Sequence, residues 1–358
     1  MITNKMKVQI AGDSHGPAIY GVIENFPFGF EIDVQRINED LRLRQIGYGR
    51  GARMKQEKDA VEIESGIWMG FSTNMPIVLR VKNRGTYPEG DDKRTVPRPG
   101  HADYAAFKKY GYDDMRLYAE GASARRTAGT VAVGSLCRQW LETQHIKILS
   151  YVDSCGPVEN KNNSITDIEE LRPLRDASCV FCPNADTTKK IVKIIDEAKR
   201  EGDTLGGKIK TVVKGIKAGL GSFSSASTRL DALLAANICS IPSVKGFYLG
   251  NPMVHKMVGS LAHDKIQKID DRVIRPSNNA GGIEAGISNG MPIEFTAYFK
   301  PIPSLSKGMA SIDIQTGESS DVNYVRSDVT AIAPAAIVVE AVTAITIMDF
   351  VLSENDKR

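Results

Sequence analysis

A mixed α/β fold is what the sequence predicts, and three observations predict it. Short apolar or alternating runs, bounded by glycine, proline and polar residues, read as strands. Runs with apolar residues three and four apart read as helices. The two kinds are interspersed along 358 residues, with no low-complexity linker and no short-period repeat between them. The strands are Lys7–Ala11, 61–67 and 77–81, followed by 209–213 and 292–298. The first helix is 33–45, where Val34, Ile37 and Leu41 fall on one face, and it runs into the glycine-rich turn Gly47, Tyr48, Gly49. Further helices are expected over 122–143, 187–200 and 227–238. No strand is followed at once by a Gly-x-Gly-x-x-Gly turn that opens a helix, which disfavours a Rossmann dinucleotide domain. With nothing to mark a boundary, residues 1–358 are expected to form one domain.

Composition narrows the function classes. The chain is 42% hydrophobic and 25% charged, as a folded globular protein is. A net charge of +3 is too small to hold nucleic acid by bulk electrostatics. No uninterrupted apolar run is long enough to cross a bilayer; the nearest, 331–348, contains Pro334 and Glu340 and reads as a buried helix. Residues 1–7 carry no secretion signal, so the cytoplasm is the expected compartment. Five cysteines make no disulfide framework, and Cys179 with Cys182 has metal-like spacing but no second pair. The tract 159–167 reads as a surface excursion, and 83–101 as a long polar loop of the kind that carries function.

Two groups of residues suggest chemistry. Arg42, Arg44, Arg50 and Arg53 straddle the glycine-rich turn. Two unit charges about 5 Å apart at an effective dielectric near 20 repel by about 3 kcal/mol, so converging arginines call for an anion. A solvated basic face, or local pairs with Glu39 and Asp40, fits the same spacing. His15 stands between Ser14 and Gly16 after the first strand, and His101 closes the polar loop. An imidazole can give or take a proton near neutrality, although each histidine taken singly also fits a structural role. A nucleophilic serine is rejected because Ser14 lacks the Gly-x-Ser-x-Gly elbow. No third ligand accompanies the histidines, so no metal is implied.

Several stretches together resemble the chorismate synthase family in order and spacing. They are Gly12 to Gly16; Arg44, Gln45 and Gly47 to Met54; Arg98 to Asp103; and Glu120 with Ala122, Ser123, Ala124, Arg125 and Thr127. Gly202 to Gly207, Gly219 to Ser222, Leu230 with Asp231, Gly281 to Gly290, Lys300 to Ser304 and Arg326 to Asp328 continue the order, so the resemblance covers nearly the whole chain.

The resemblance implies a single α/β domain with helices sandwiched between antiparallel sheets, assembled as a homotetramer. It implies a lyase of the shikimate pathway, which removes phosphate and a proton from 5-enolpyruvylshikimate 3-phosphate by 1,4 anti elimination, giving chorismate, with reduced FMN required but not consumed. By the same resemblance Arg44, Arg50, Arg53, Arg98, Arg125 and Arg326, with Met54 beside them, hold the phosphorylated dicarboxylate substrate. His15 protonates the departing phosphate, His101 sits against the flavin, Asp328 helps the flavin nitrogen receive the proton, and Ser14 and Ser123 orient protons. Ala122, Ser123, Ala124, Pro242, Ser243, Ala285, Lys300, Pro301, Ile302, Pro303, Ser304 and Arg326 hold the flavin. Chain length leaves little room for a flavin reductase, so an external reductant is expected. The chain departs from the family pattern at Asp13, Asn74, Gly121, Arg126, Thr130, Pro242 and Ala285. Asn74 and Ala285 stand where glycine is usual, and Gly121 where arginine is.

Overall fold

Two antiparallel sheets face each other across a layer of helices in the computed structural model of the chain. It describes residues 1–51, 58–84, 93–161, 167–270, 272–322 and 328–355. The first sheet takes β1 (Lys7–Ala11), β2 (Ala18–Glu24), β3 (Val61–Ser65) and, after the small hairpin β4 (Ile67–Trp68) and β5 (Phe71–Ser72), β6 (Ile77–Lys82). Its order is β1-β2-β6-β3. The second sheet begins with β7 (Lys147–Cys155), β8 (Val158–Glu159), β9 (Gly207–Lys214) and β10 (Val244–Leu249). Two hairpins follow, β11 (Gln267–Ile269) with β12 (Arg272–Ile274) and β13 (Ile283–Glu284) with β14 (Ile287–Ser288). Then β15 (Ile293–Phe299) completes the second sheet in the order β10-β15-β9-β7-β8, and β16 (Met309–Ile312) pairs with β17 (Ser319–Val322). Every pairing in the two large sheets is antiparallel.

Helices α1 (Val34–Gln45), α2 (Asp103–Tyr110), α3 (Met115–Ala122) and α4 (Thr127–Thr143) come before the second sheet; α5 (Ile168–Ala177), α6 (Ala185–Arg200), α7 (Leu230–Cys239), α8 (Gly259–Ala262) and α9 (Ile332–Asn355) follow its first strand. Helix α4 lies on the first sheet, α9 lies on the second, and the two pack on each other. This is the expected sandwich of helices between antiparallel sheets. Gly134 of α4 marks the crossing: a Cβ there would lie 2.5 Å from Ala341 Cα. Val133, Leu136 and Leu141 of α4 and Val339, Ile345 and Met348 of α9 are buried at the centre of the core.

Of α9, Ile332–Glu354 is long and apolar enough to cross a membrane, yet 89% of its apolar stretch is buried inside the fold. Pro334 sits in its first turn, where a missing N–H costs nothing. Glu340 is buried against Arg138 (3.2 Å), Arg175 (3.1 Å) and Arg172 (3.4 Å), and accepts from Ser150 N at 2.8 Å. Burial alone would raise its pKa, but the three guanidinium groups outweigh burial and hold it down.

Three expected elements are shorter in the structure. The helix expected over 122–143 starts at Thr127, behind a 3₁₀ turn, because Ser123 is extended (φ −68°, ψ 139°) and its hydroxyl accepts from Arg125 N at 3.2 Å. The helix expected over 227–238 starts at Leu230, since Thr228 and Ser225 tie their own backbone into turns. The strand expected over 61–67 breaks at Gly66, whose φ is 83°.

Candidate active site

The turn that carries Ser14 and His15 joins β1 to β2. It needs glycine at its start: Gly12 has φ 104°, and a Cβ there would run into Ala18 O. Asn83 secures the turn from behind, donating to Asp13 O (2.9 Å) and Gly16 O (2.8 Å). Arg125 in turn donates to Asn83 Oδ1 at 2.7 Å and pairs with Asp59 at 2.7 Å. Two groups then meet the turn from the other side. Glu120, near the end of α3, accepts from His15 N at 2.8 Å and lies 2.5 Å from His15 Nδ1. Ser123 Oγ donates to Ser14 Oγ at 3.1 Å.

His101 is placed by a different carboxylate. Gly100 (φ 76°) turns the chain, and Asp103, the first residue of α2, is fully buried below it. Asp103 Oδ1 lies 2.5 Å from His101 Nδ1, and Arg98 donates to Asp103 at 2.7 Å and 3.0 Å. Burial alone would raise the Asp103 pKa; the bonds from His101 and Arg98 overcome it and hold the carboxyl well below its ordinary range. Lys300 donates to Gly100 O, and burial together with the like charge of Lys245 pushes its own pKa down. After the glycine-rich turn, Arg50 pairs with Asp328 at 2.7 Å, and Gly51 N donates to the same carboxylate at 2.6 Å.

Ser14, His15, Arg50, Arg98, His101, Glu120, Ser123, Lys300 and Asp328 line one cavity of about 560 Å³, a size ordinary for a small-molecule site. Among the described residues, six cationic side chains reach it, Arg44, Arg50, Arg94, Arg98, Arg116 and Lys300, against two carboxylates, Glu120 and Asp328. The same cavity is also lined by the apolar side chains Leu205, Ile241, Phe299, Ile302, Ile332 and Val338. A lining that combines cations with apolar side chains suits a ligand, or a pair of ligands, that is both anionic and ring-bearing.

Most of the expected site residues converge here. His15, His101, Asp328, Ser14, Ser123, Arg44, Arg50 and Arg98 line the cavity, as do Ala122, Ala124, Pro242, Ser243, Lys300, Ile302, Pro303 and Ser304. Arg53, Met54 and Arg326 lie outside the described residues. Arg125, Pro301 and Ala285 are not among the lining residues. Arg125 lies just behind the lining, where its guanidinium group donates to Asn83 Oδ1, Asp59 and Lys82 O and braces the His15 turn. Ala285 stands in the turn between β13 and β14 with φ 51°.

Sequence reasoning missed Arg94 and Arg116 and gave Glu120 no role. Arg94 lay in the polar loop already marked as functional, whereas Arg116 carried no signal. Arg42, expected beside the ligand-binding arginines, pairs with Glu39 at 2.7 Å in the local manner that the spacing also allowed.

Comparison with known proteins identifies the family. The family profile described as chorismate synthase matches residues 6–352. The chorismate synthase of Thermotoga maritima is 43% identical over 347 residues, which cover 97% of this chain and 91% of that protein. That of Clostridium tetani is 38% identical over 353 residues, covering 96% of this chain and 91% of its own length. A crystal structure of chorismate synthase matches the fold with a TM-score of 0.80 at 31% identity, covering 98% of this chain and 93% of that one. With the sandwich architecture, the cationic cavity and this similarity over nearly its full length, the chain belongs to the chorismate synthase family.

Proposed function

We propose that this chain converts 5-enolpyruvylshikimate 3-phosphate to chorismate and inorganic phosphate, with reduced FMN bound in the same cavity. The observation that carries the reading is the convergence, among the described residues, of six cations and two carboxylate-backed imidazoles on one partly apolar hollow. Arg44, Arg50, Arg94, Arg98 and Arg116 match the carboxylates and phosphate of the substrate, since guanidinium groups bind both in a forked geometry. Until a substrate arrives, the paired carboxylates Asp328 and Asp103 keep part of that charge in balance.

The residues present also fit a flavin. The apolar lining side chains offer contact to a ring system, and Lys300 and Ser243 add polar groups to the same lining. Bound there, reduced FMN supplies electron density to the ring that loses the phosphate and is unchanged when turnover ends. His15 gives a proton to the leaving phosphate oxygen, and the C–O bond pair departs with that group. His101, held by Asp103, would sit against the flavin and stabilise its reduced, anionic form. Asp328, held by Arg50 and Gly51 N, would help the bound flavin receive the proton that leaves carbon. Ser14 and Ser123, bonded to each other, orient protons beside His15. The protein is proposed to work in the cytoplasm as a homotetramer and to receive its reduced flavin from a separate reductant.

The test is phosphate release. Anaerobic protein given dithionite-reduced FMN and the enolpyruvyl phosphate is expected to liberate inorganic phosphate, and with oxidised FMN or none it is expected to liberate none. Substrate binding without release under reduced flavin would leave a binding protein and overturn the reading.

A further inference from the structure

Glu120 spends both of its oxygens on one residue. One accepts from the backbone N–H of His15 at 2.8 Å, and the other faces the ring Nδ1 at 2.5 Å. Both side chains are largely enclosed, 23% exposed for His15 and 14% for Glu120, and both border the cavity. A carboxylate only accepts hydrogen bonds. Nδ1 must therefore carry a proton, and exchange with a ligand is left to Nε2.

We propose that Glu120 is a positioning residue that fixes the tautomer of His15. The inference rests on His15 being the proton donor to the departing phosphate. In that step the Nε2 proton passes to the phosphate oxygen while the C–O bond breaks toward the same oxygen. His15 is left neutral with its remaining proton on Nδ1, the form that Glu120 already holds. No second proton has to move during the step, and the ring does not turn.

The isosteric variant Glu120→Gln separates this role from support of the fold. The backbone N–H of His15 can only donate, so the amide oxygen of a glutamine must take that bond. Its NH₂ group then faces Nδ1 and forces that nitrogen to accept, moving the ring proton of neutral His15 to Nε2. Volume and both contacts persist, yet the tautomer inverts.

The experiment combines ring ¹⁵N NMR of histidine-labelled protein, at a pH where the ring is neutral, with single-turnover phosphate release and substrate titration. His15→Gln identifies the resonance. Wild-type protein is expected to show the Nδ1–H form and Glu120→Gln the Nε2–H form, with phosphate release about 100-fold slower and substrate Kd within about threefold. An Nε2–H ring in the wild type, a variant that releases phosphate within about threefold of wild type, or a Kd that rises as far as the rate falls would overturn the proposal. The tautomer is read without turnover, so a wild-type protein that releases no phosphate defeats the proposed function while leaving the positioning role to be decided by the NMR result.

Discussion

Asp103 shows how much one buried side chain can organise. It is the shared partner of Arg98 and His101, so a cavity-lining guanidinium and an imidazole are held by one carboxylate. Because its pKa is depressed in the folded protein, its contribution to stability is present above the unfolded value, near 3.9. That contribution is lost as pH falls through the folded value. Asp103→Asn should cost about 3 kcal/mol at neutral pH by leaving Arg98 without its counter-charge. The gap between the two proteins should narrow below about pH 4, which urea unfolding at several pH values measures. Two departures from the family pattern are also explained at this scale. Asn74 (φ 63°) and Ala285 (φ 51°), each standing where glycine is usual, both occupy the left-handed region. Asparagine tolerates that conformation, whereas alanine is strained there.

At the scale of elements, the crossing of α4 and α9 decides how close the two sheets can approach. Gly134 allows it, with backbone rather than a flexible side chain on the far side. Gly134→Ala should therefore lower stability by about 1–3 kcal/mol despite alanine's better helix propensity, read as a fall in the denaturant midpoint. Elements with a clear period were legible: β1 matches its expected bounds, and α1 and α6 begin within two residues of theirs. β7 was not assigned, because it is the interior strand next to β9 and is buried on both faces over Ile148–Val152, so no polar alternation marks it. Helices α2 and α3 are only eight residues long and were not assigned either. Both are set by docking beside the cavity more than by their own pattern.

For the molecule as a whole, one apolar cluster runs from Met6 to Phe350 through both sheets, which is the ground for proposing a single domain. A smaller cluster of Leu149, Tyr151, Ile168, Leu171 and Val212 covers the outer face of the second sheet beneath α5. Around the β4–β5 hairpin, Phe28, Trp68 and Met69 are 79%, 70% and 76% exposed. A cluster of large apolar side chains on a surface favours association. The proposed homotetramer predicts sedimentation at four protomer masses, and a monomer at micromolar concentration would refute it.

By itself, the sequence determined the mixed α/β class, the central apolar helix and the motif order that resembles the chorismate synthases. It also supplied both histidines and most of the cavity's cations, because these are local patterns or residue identities. Tertiary structure decided which charges line the cavity. Arg125 turns away to Asp59, 66 residues distant, while Arg116 turns inward and Glu120 reaches His15 across 105 residues. Such pairings depend on where separate elements dock, and the energy that selects them comes from contacts that no local pattern encodes.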